Sequence, residues 1–171
     1  MYNNSRKKVR GLKRRCRSFS RFLCERTSSF PIDNNHKPSY VSAPLSQFFI
    51  SIKRTPASVR KFYAQEFINR VNYLIDQKTD AEMEHRIFCV LSLPNLNLAS
   101  IVKLYSERGL ERFYEGLFYR NEETNMVVSL PPIHNDENEW GLYIPEGLQI
   151  KRYKIDASYP GQEVWLIGNL E

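Results

Sequence analysis

Residues 55–78 read TPASVRKFYAQEFINRVNYLIDQK, and the reading of this stretch decides the fold. At about 100° per residue, Tyr63, Ala64, Phe67, Ile68, Val71, Leu74 and Ile75 share one half of a helix surface, while Lys61, Gln65, Asn69, Asn72 and Asp76 take the other. Thr55 is placed to cap the free N–H groups of a first turn, and Pro56 stands at the first helical position, where its missing N–H costs nothing. The spacing predicts a long amphipathic helix with one buried face. Phe62 and Tyr73 land among the polar residues. They mark either a docking surface on the outer side of the helix or two edge aromatics lying partly over the core.

Working outward, residues 45–54 (LSQFFISIKR) partly alternate, with Phe48, Ile50 and Ile52 against Gln47, Phe49, Ser51 and Lys53, and predict a strand feeding the helix. Residues 87–93 (IFCVLSL) form the longest apolar run and suit a buried strand closed by Pro94. The β-branched pair Ile101-Val102 favours a strand over residues 100–105. Leu110, Phe113, Tyr114 and Leu117 recur at helical spacing, predicting a shorter second helix over 109–120. From residue 125 the texture changes to short extended pieces at 126–130, 140–144, 148–155 and 164–167. Pro131-Pro132, Pro145 with Gly147, and Pro160-Gly161 separate them. The expected fold is α+β: a mostly antiparallel sheet with one long amphipathic helix packed on it, a shorter second helix and a basic N-terminal helix. The expected organisation is a basic helical segment over 1–27, an extended linker over 28–44 that carries Pro31, Pro38 and Pro44, and a single domain over 45–171.

Charge is divided sharply. The first 26 residues hold ten Lys and Arg against Glu25 alone, a balance of +9, so the overall +6 belongs to that segment and the rest of the chain is mildly acidic. Val9, Leu12, Cys16, Phe19 and Leu23 recur at gaps of three and four inside it, a narrow apolar stripe flanked by cations and weakened by Gly11. Arg6, Lys7, Lys8, Arg10, Lys13, Arg14, Arg15, Arg17 and Arg21 are the candidate phosphate or partner contacts. Four readings stay open: a basic helix laid on the acidic body through its stripe, a nucleic-acid phosphate contact, a contact with a partner protein or anionic membrane surface, and an Arg-rich targeting peptide. No window has the roughly 18 apolar residues of a membrane span.

The sequence carries no catalytic, metal or cofactor motif. His36 lies in the Pro/Asn linker, His85 reads as a surface histidine, and Cys89 as an inert thiol within a strand. The run His134-Asn135-Asp136-Glu137-Asn138-Glu139 offers ligand-type side chains but lacks the glycine-pinned spacing of a calcium loop, and reads as a polar loop. Neither a G-x-G-x-x-G nor a G-x-x-x-x-G-K-[ST] loop occurs. Cys16, Cys24 and Cys89 have no metal-ligand spacing and favour a reducing compartment. No cofactor is expected.

Several stretches together carry a resemblance: FFISIKRTPASVRKFYAQEFINRVNYLIDQK, IFCVLSLPNL followed by SIVKLY, GLYIPEGL, and the terminal EVWLIGNLE. The chain resembles a family of uncharacterised bacterial proteins best known from Bacillus-type organisms. That resemblance implies a bacterial cytoplasmic protein and no catalytic residues to carry over. The expected function is a non-enzymatic protein-binding module, of an immunity or antitoxin-like kind with a toxin-like partner. Nucleic-acid binding through the basic segment is the first alternative, and a hydrolase or transferase using scattered acids is the second.

Overall fold

The computed structural model describes residues 11–30, 38–49, 55–105, 128–129, 139–154 and 163–171, with Gly109, Leu110 and Phe113. In chain order the elements are α1 (Leu12–Thr27), β1 (Ser39–Ser42), α2 (Leu45–Phe48), α3 (Ala57–Asp76), a 3-10 turn (Asp80–Glu82), β2 (His85–Leu93), β3 (Ala99–Tyr105), β4 (Val128–Ser129), β5 (Gln149–Lys154) and β6 (Glu163–Gly168). Among the described residues the strands form one antiparallel sheet in the order β1-β3-β2-β6-β5-β4.

The apolar run of β2, interrupted only by Ser92 between Ile87 and Leu93, follows from its place at the centre of that sheet, covered on both faces. On one face Ile87, Cys89, Leu91 and Leu93 join Ile101, Trp165 and Ile167 beneath the buried side of α3. On the other, Phe88 and Val90 meet Val102, Leu104, Val164 and Leu166, with Leu110 and Phe113 packed over them. Each fully buried side chain of this size contributes roughly 1.5–3 kcal/mol. β6 is pressed so closely onto β2 that a Cβ at Gly168 would stand 2.3 Å from the Ile87 carbonyl oxygen and 2.6 Å from Phe88 Cα. Only glycine fits there. Gly109, Leu110 and Phe113 are helical, in line with the shorter second helix, whose residues 114–120 lie outside the described set.

α3 buries Val59, Tyr63, Ala64, Phe67, Ile68 and Val71, the face that its spacing predicts. Its start differs by one residue: Pro56, not Thr55, is the N-cap, and its carbonyl accepts from both Val59 and Arg60. α1 lies across α3 by its apolar stripe, with Phe19 and Leu23 buried and Leu12 and Cys16 packed at the edge. The Phe19 ring stacks on Tyr63 with centroids 3.9 Å apart, and Phe22 meets Phe48 at 5.2 Å. The Tyr63 hydroxyl donates to the Ala43 carbonyl at 2.6 Å.

Three local expectations are corrected. Leu45–Phe48 is a helical turn and not the start of a strand, closed by hydrogen bonds from Gln47 to Pro44 and from Phe49 to Leu45. A turn lets Leu45, Phe48 and Phe49 all face the core, whereas alternation would have turned one of them outward; residues 50–54 lie outside the described set. Residues 140–144 form no strand either. Gly141 sits at φ +59, and the backbone of Tyr143 exchanges two hydrogen bonds, both 2.8 Å, with the Gln65 side chain of α3 in place of a strand partner. Finally, Ser39–Ser42, inside the stretch that reads as a linker, is the edge strand beside β3.

Candidate functional site

The docking of α1 sorts its cations. With Phe19 and Leu23 turned inward, Lys13, Arg14, Arg17 and Arg21 fall within roughly 100° of one another on the opposite side. All four are exposed, and Arg14 and Arg21 stand about 10 Å apart along the axis. Arg15 is half-buried and donates to the Phe48 carbonyl at 2.8 Å. The body answers this helix with hydrogen bonds: Ser20 donates to Glu66, and Arg70 to the Thr27 hydroxyl at 2.6 Å. Among the described residues the ion pairs are Lys103–Glu82, Arg152–Glu139 and Arg152–Glu163, none of which uses an α1 cation. Arg6, Lys7, Lys8 and Arg10 lie outside the described residues. Of the two aromatics read as a docking surface, Phe62 is half-buried and lines a shallow groove with Leu12 and Cys16 of α1. Tyr73 is 51% exposed, with the Arg70 guanidinium 4.7 Å above its ring.

A second feature lies at the start of α3. There the first two turns of the helix, the Leu93-Pro94 corner after β2 and the 139–142 loop enclose a cleft of about 360 Å³. Arg60 and Lys61 stand at it from the helix, and Glu139 and Trp140 from the loop. The Lys61 ammonium lies over Gly141, where a Cβ would come within 3.1 Å of Nζ. Behind Glu139, Arg152 donates three times to Glu163, Nε at 2.9 Å and Nη2 at 2.6 Å to one oxygen and Nη2 at 2.8 Å to the other, and stacks 4.9 Å over Trp165. The Trp165 indole N–H donates to the same carboxylate at 2.8 Å. Glu163 is thus held by Arg152 and Trp165, while Glu139, largely exposed, lies 3.8 Å from the same guanidinium.

At the opposite end of β2, His85 corrects its reading as a surface histidine: it is 2% exposed. Its ring meets Tyr105 edge-on at 5.2 Å, and its Nδ1 has no hydrogen-bond partner among the described residues. Lys78 donates to the His85 carbonyl at 2.7 Å, and the neighbouring Lys103 pairs with Glu82 at 2.5 Å. Burial, then the Lys103 charge, holds the His85 imidazole below its ordinary value, and the Lys103 hydrogen bond lowers Glu82. Cys89 is fully buried, and burial pushes its thiol far up, in keeping with an inert core residue. His36 and residues 134–138 lie outside the described set.

Residues 21–169 match DUF3916, described as a protein of unknown function. The chain belongs to this family. No curated protein and no solved structure matches it. The DUF3916 region takes in the whole cleft at the start of α3 and Arg21, whereas Lys13, Arg14, Arg15 and Arg17 precede it. None of the described helices is long and apolar enough to cross a membrane.

Sequence reasoning missed the cleft, because its walls come from residues 57–64, 93–96 and 139–142. A faint signal existed in Arg60-Lys61 beside a helix start and in Trp140 before a glycine. Neither is legible as a site until the loop folds against the helix.

Proposed function

We propose that this DUF3916 protein is a non-enzymatic binding protein that holds the phosphate backbone of a nucleic acid on the outer face of α1. The observation that carries the reading is the grouping of Lys13, Arg14, Arg17 and Arg21 on one exposed face, with no ion pair among the described residues. Such a face offers charge and no apolar anchor. Protein interfaces draw most of their affinity from buried aromatic and aliphatic groups, whereas phosphate contacts draw it from Lys and Arg and the counterions they release. A membrane-surface helix needs its apolar stripe free for lipid, and here that stripe is spent on α3. A bacterial cytoplasmic setting belongs to the same proposal and is supported by the three free cysteines.

The test is fluorescence anisotropy with labelled duplex and single-stranded oligonucleotides across a salt series. The wild-type chain is expected to bind with affinity that falls steeply with salt, by roughly 0.9 log units per log unit of salt for each duplex phosphate engaged. The combined variant Lys13→Gln, Arg14→Gln, Arg17→Gln, Arg21→Gln is expected to lose most of that binding while keeping its thermal midpoint. Equal binding by the variant rejects the α1 face as the site. No binding by the wild type even at about 50 mM salt rejects the nucleic-acid reading. The immunity-like reading, in which the mildly acidic body faces a basic toxin-like protein, would then take its place.

A further inference from the structure

We propose that the cleft at the start of α3 is a binding site for a small apolar carboxylate, independent of the cationic face of α1. Its volume, about 360 Å³, falls within the range of small-ligand pockets, which begin at roughly 300 Å³. Leu93, Pro94, Leu96, Ala64 and Leu142 make its walls largely apolar, so a ligand body without polar groups is favoured there. The charge is placed to one side. Arg60 and Lys61 are adjacent on α3, and neither forms an ion pair among the described residues. Arg60 makes one long contact, 3.5 Å from Nη1 to the Pro94 carbonyl, which leaves most of its donors available.

Ala57 and Ser58, which also line the cleft, occupy the first two positions of the twenty-residue helix, where backbone N–H groups have no intrahelical acceptor and the dipole is positive. Two cations and this helix end therefore favour a carboxylate at one end of an apolar space. Glu139, the acid on the opposite wall, has its charge partly answered by Arg152 at 3.8 Å. Trp140 supplies a flat wall, and its indole N–H is shut from solvent with no hydrogen-bond partner among the described residues.

The chain has two tryptophans, so a ¹H–¹⁵N spectrum of the full-length protein shows two indole signals. The Trp165 signal, from an N–H bonded to Glu163, reports whether the sheet is intact. Titration with 4-phenylbutyrate is expected to move the Trp140 signal saturably, and 4-phenylbutyramide, lacking the charge, is expected to leave it in place. Arg60→Gln and Lys61→Gln are each expected to weaken the acid by about tenfold, with circular dichroism unchanged. A parallel arm uses acetyl-Gly-Gly-Phe with a free C-terminal carboxylate. Binding of that peptide but not of phenylbutyrate supports the same chemistry with a chain terminus as its source. If neither acid moves the Trp140 signal, or the amide binds as well as the acid, the proposal is overturned.

Discussion

His85 carries the clearest consequence of burial for a single residue. The folded chain holds its imidazole below the ordinary value near 6.5, through burial first and then the Lys103 charge, with a smaller effect from Lys78. Glu82 and Glu84 oppose this without reversing it. The unfolded chain has the ordinary value, so on acidification it takes up the proton first. This stabilisation is present above about pH 6.5 and is lost as the pH falls toward the folded value. Thermal melts are expected to show a falling midpoint between about pH 7 and about pH 5.5 in the wild type, and a flatter profile in His85→Phe. Glu82, held below its ordinary 4.5 by the Lys103 hydrogen bond, is lost in a separate, lower window. An unchanged slope between the two chains in the upper window would show that another group titrates there. The sequence displays His85 as one polar residue beside Glu84, and only the pairing of β2 with β3 reveals that its ring is enclosed.

At the scale of elements, the junction of α1 with α3 has a sharp inside and outside. Phe19 is fully buried and contacts Phe48, Tyr63 and Phe67, whereas Arg21 two positions on is exposed. Phe19→Ala is expected to lower stability by about 3–5 kcal/mol, because it removes the ring and leaves a cavity between two helices. Arg21→Gln should stay within about 0.5 kcal/mol. Urea unfolding of the two variants separates them, and a small effect of Phe19→Ala would mean that α1 is not held by its stripe. The stripe is legible in the sequence from Leu12, Cys16, Phe19 and Leu23, and so is its helical period. Its partner is not. The Phe62 and Tyr73 pair points to the outer side of α3, yet the ring that stacks on Phe19 is Tyr63, one position round the helix from Phe62. A helix wheel orders residues by angle alone. Tyr63 spans the boundary between the sheet and α1 because its ring is long enough to reach both Ala43 and Phe19.

For the whole molecule, the question is where the folding unit begins. β1 is hydrogen-bonded to β3 through Ser39–Ser42, and Val41 is buried against the sheet. A chain starting at residue 45 lacks both β1 and α1, and uncovers Ile101, Tyr63 and Phe67. We expect it to bind an apolar dye such as ANS and to melt without a cooperative transition. A chain starting at residue 11 retains both elements and is expected to melt sharply. A sharp melt for the chain from residue 45 would show that 45–171 is a domain in its own right.

The sequence by itself determined the class and the long elements of this protein. Period 3.6 in residues 55–78, a long apolar run in 87–93 and short turn-bounded strands near the C-terminus are local signals, written in the spacing of neighbouring residues. Tertiary structure alone decided what each exposed or buried polar group does. It turned residues 45–48 into a helical turn, gave the Tyr143 backbone to Gln65 instead of a strand, enclosed His85, and set Arg60, Lys61 and Trp140 around one cleft. The last three of these outcomes join residues from 20 to 80 positions apart, and which of them meet depends on strand order and helix docking that no local period encodes.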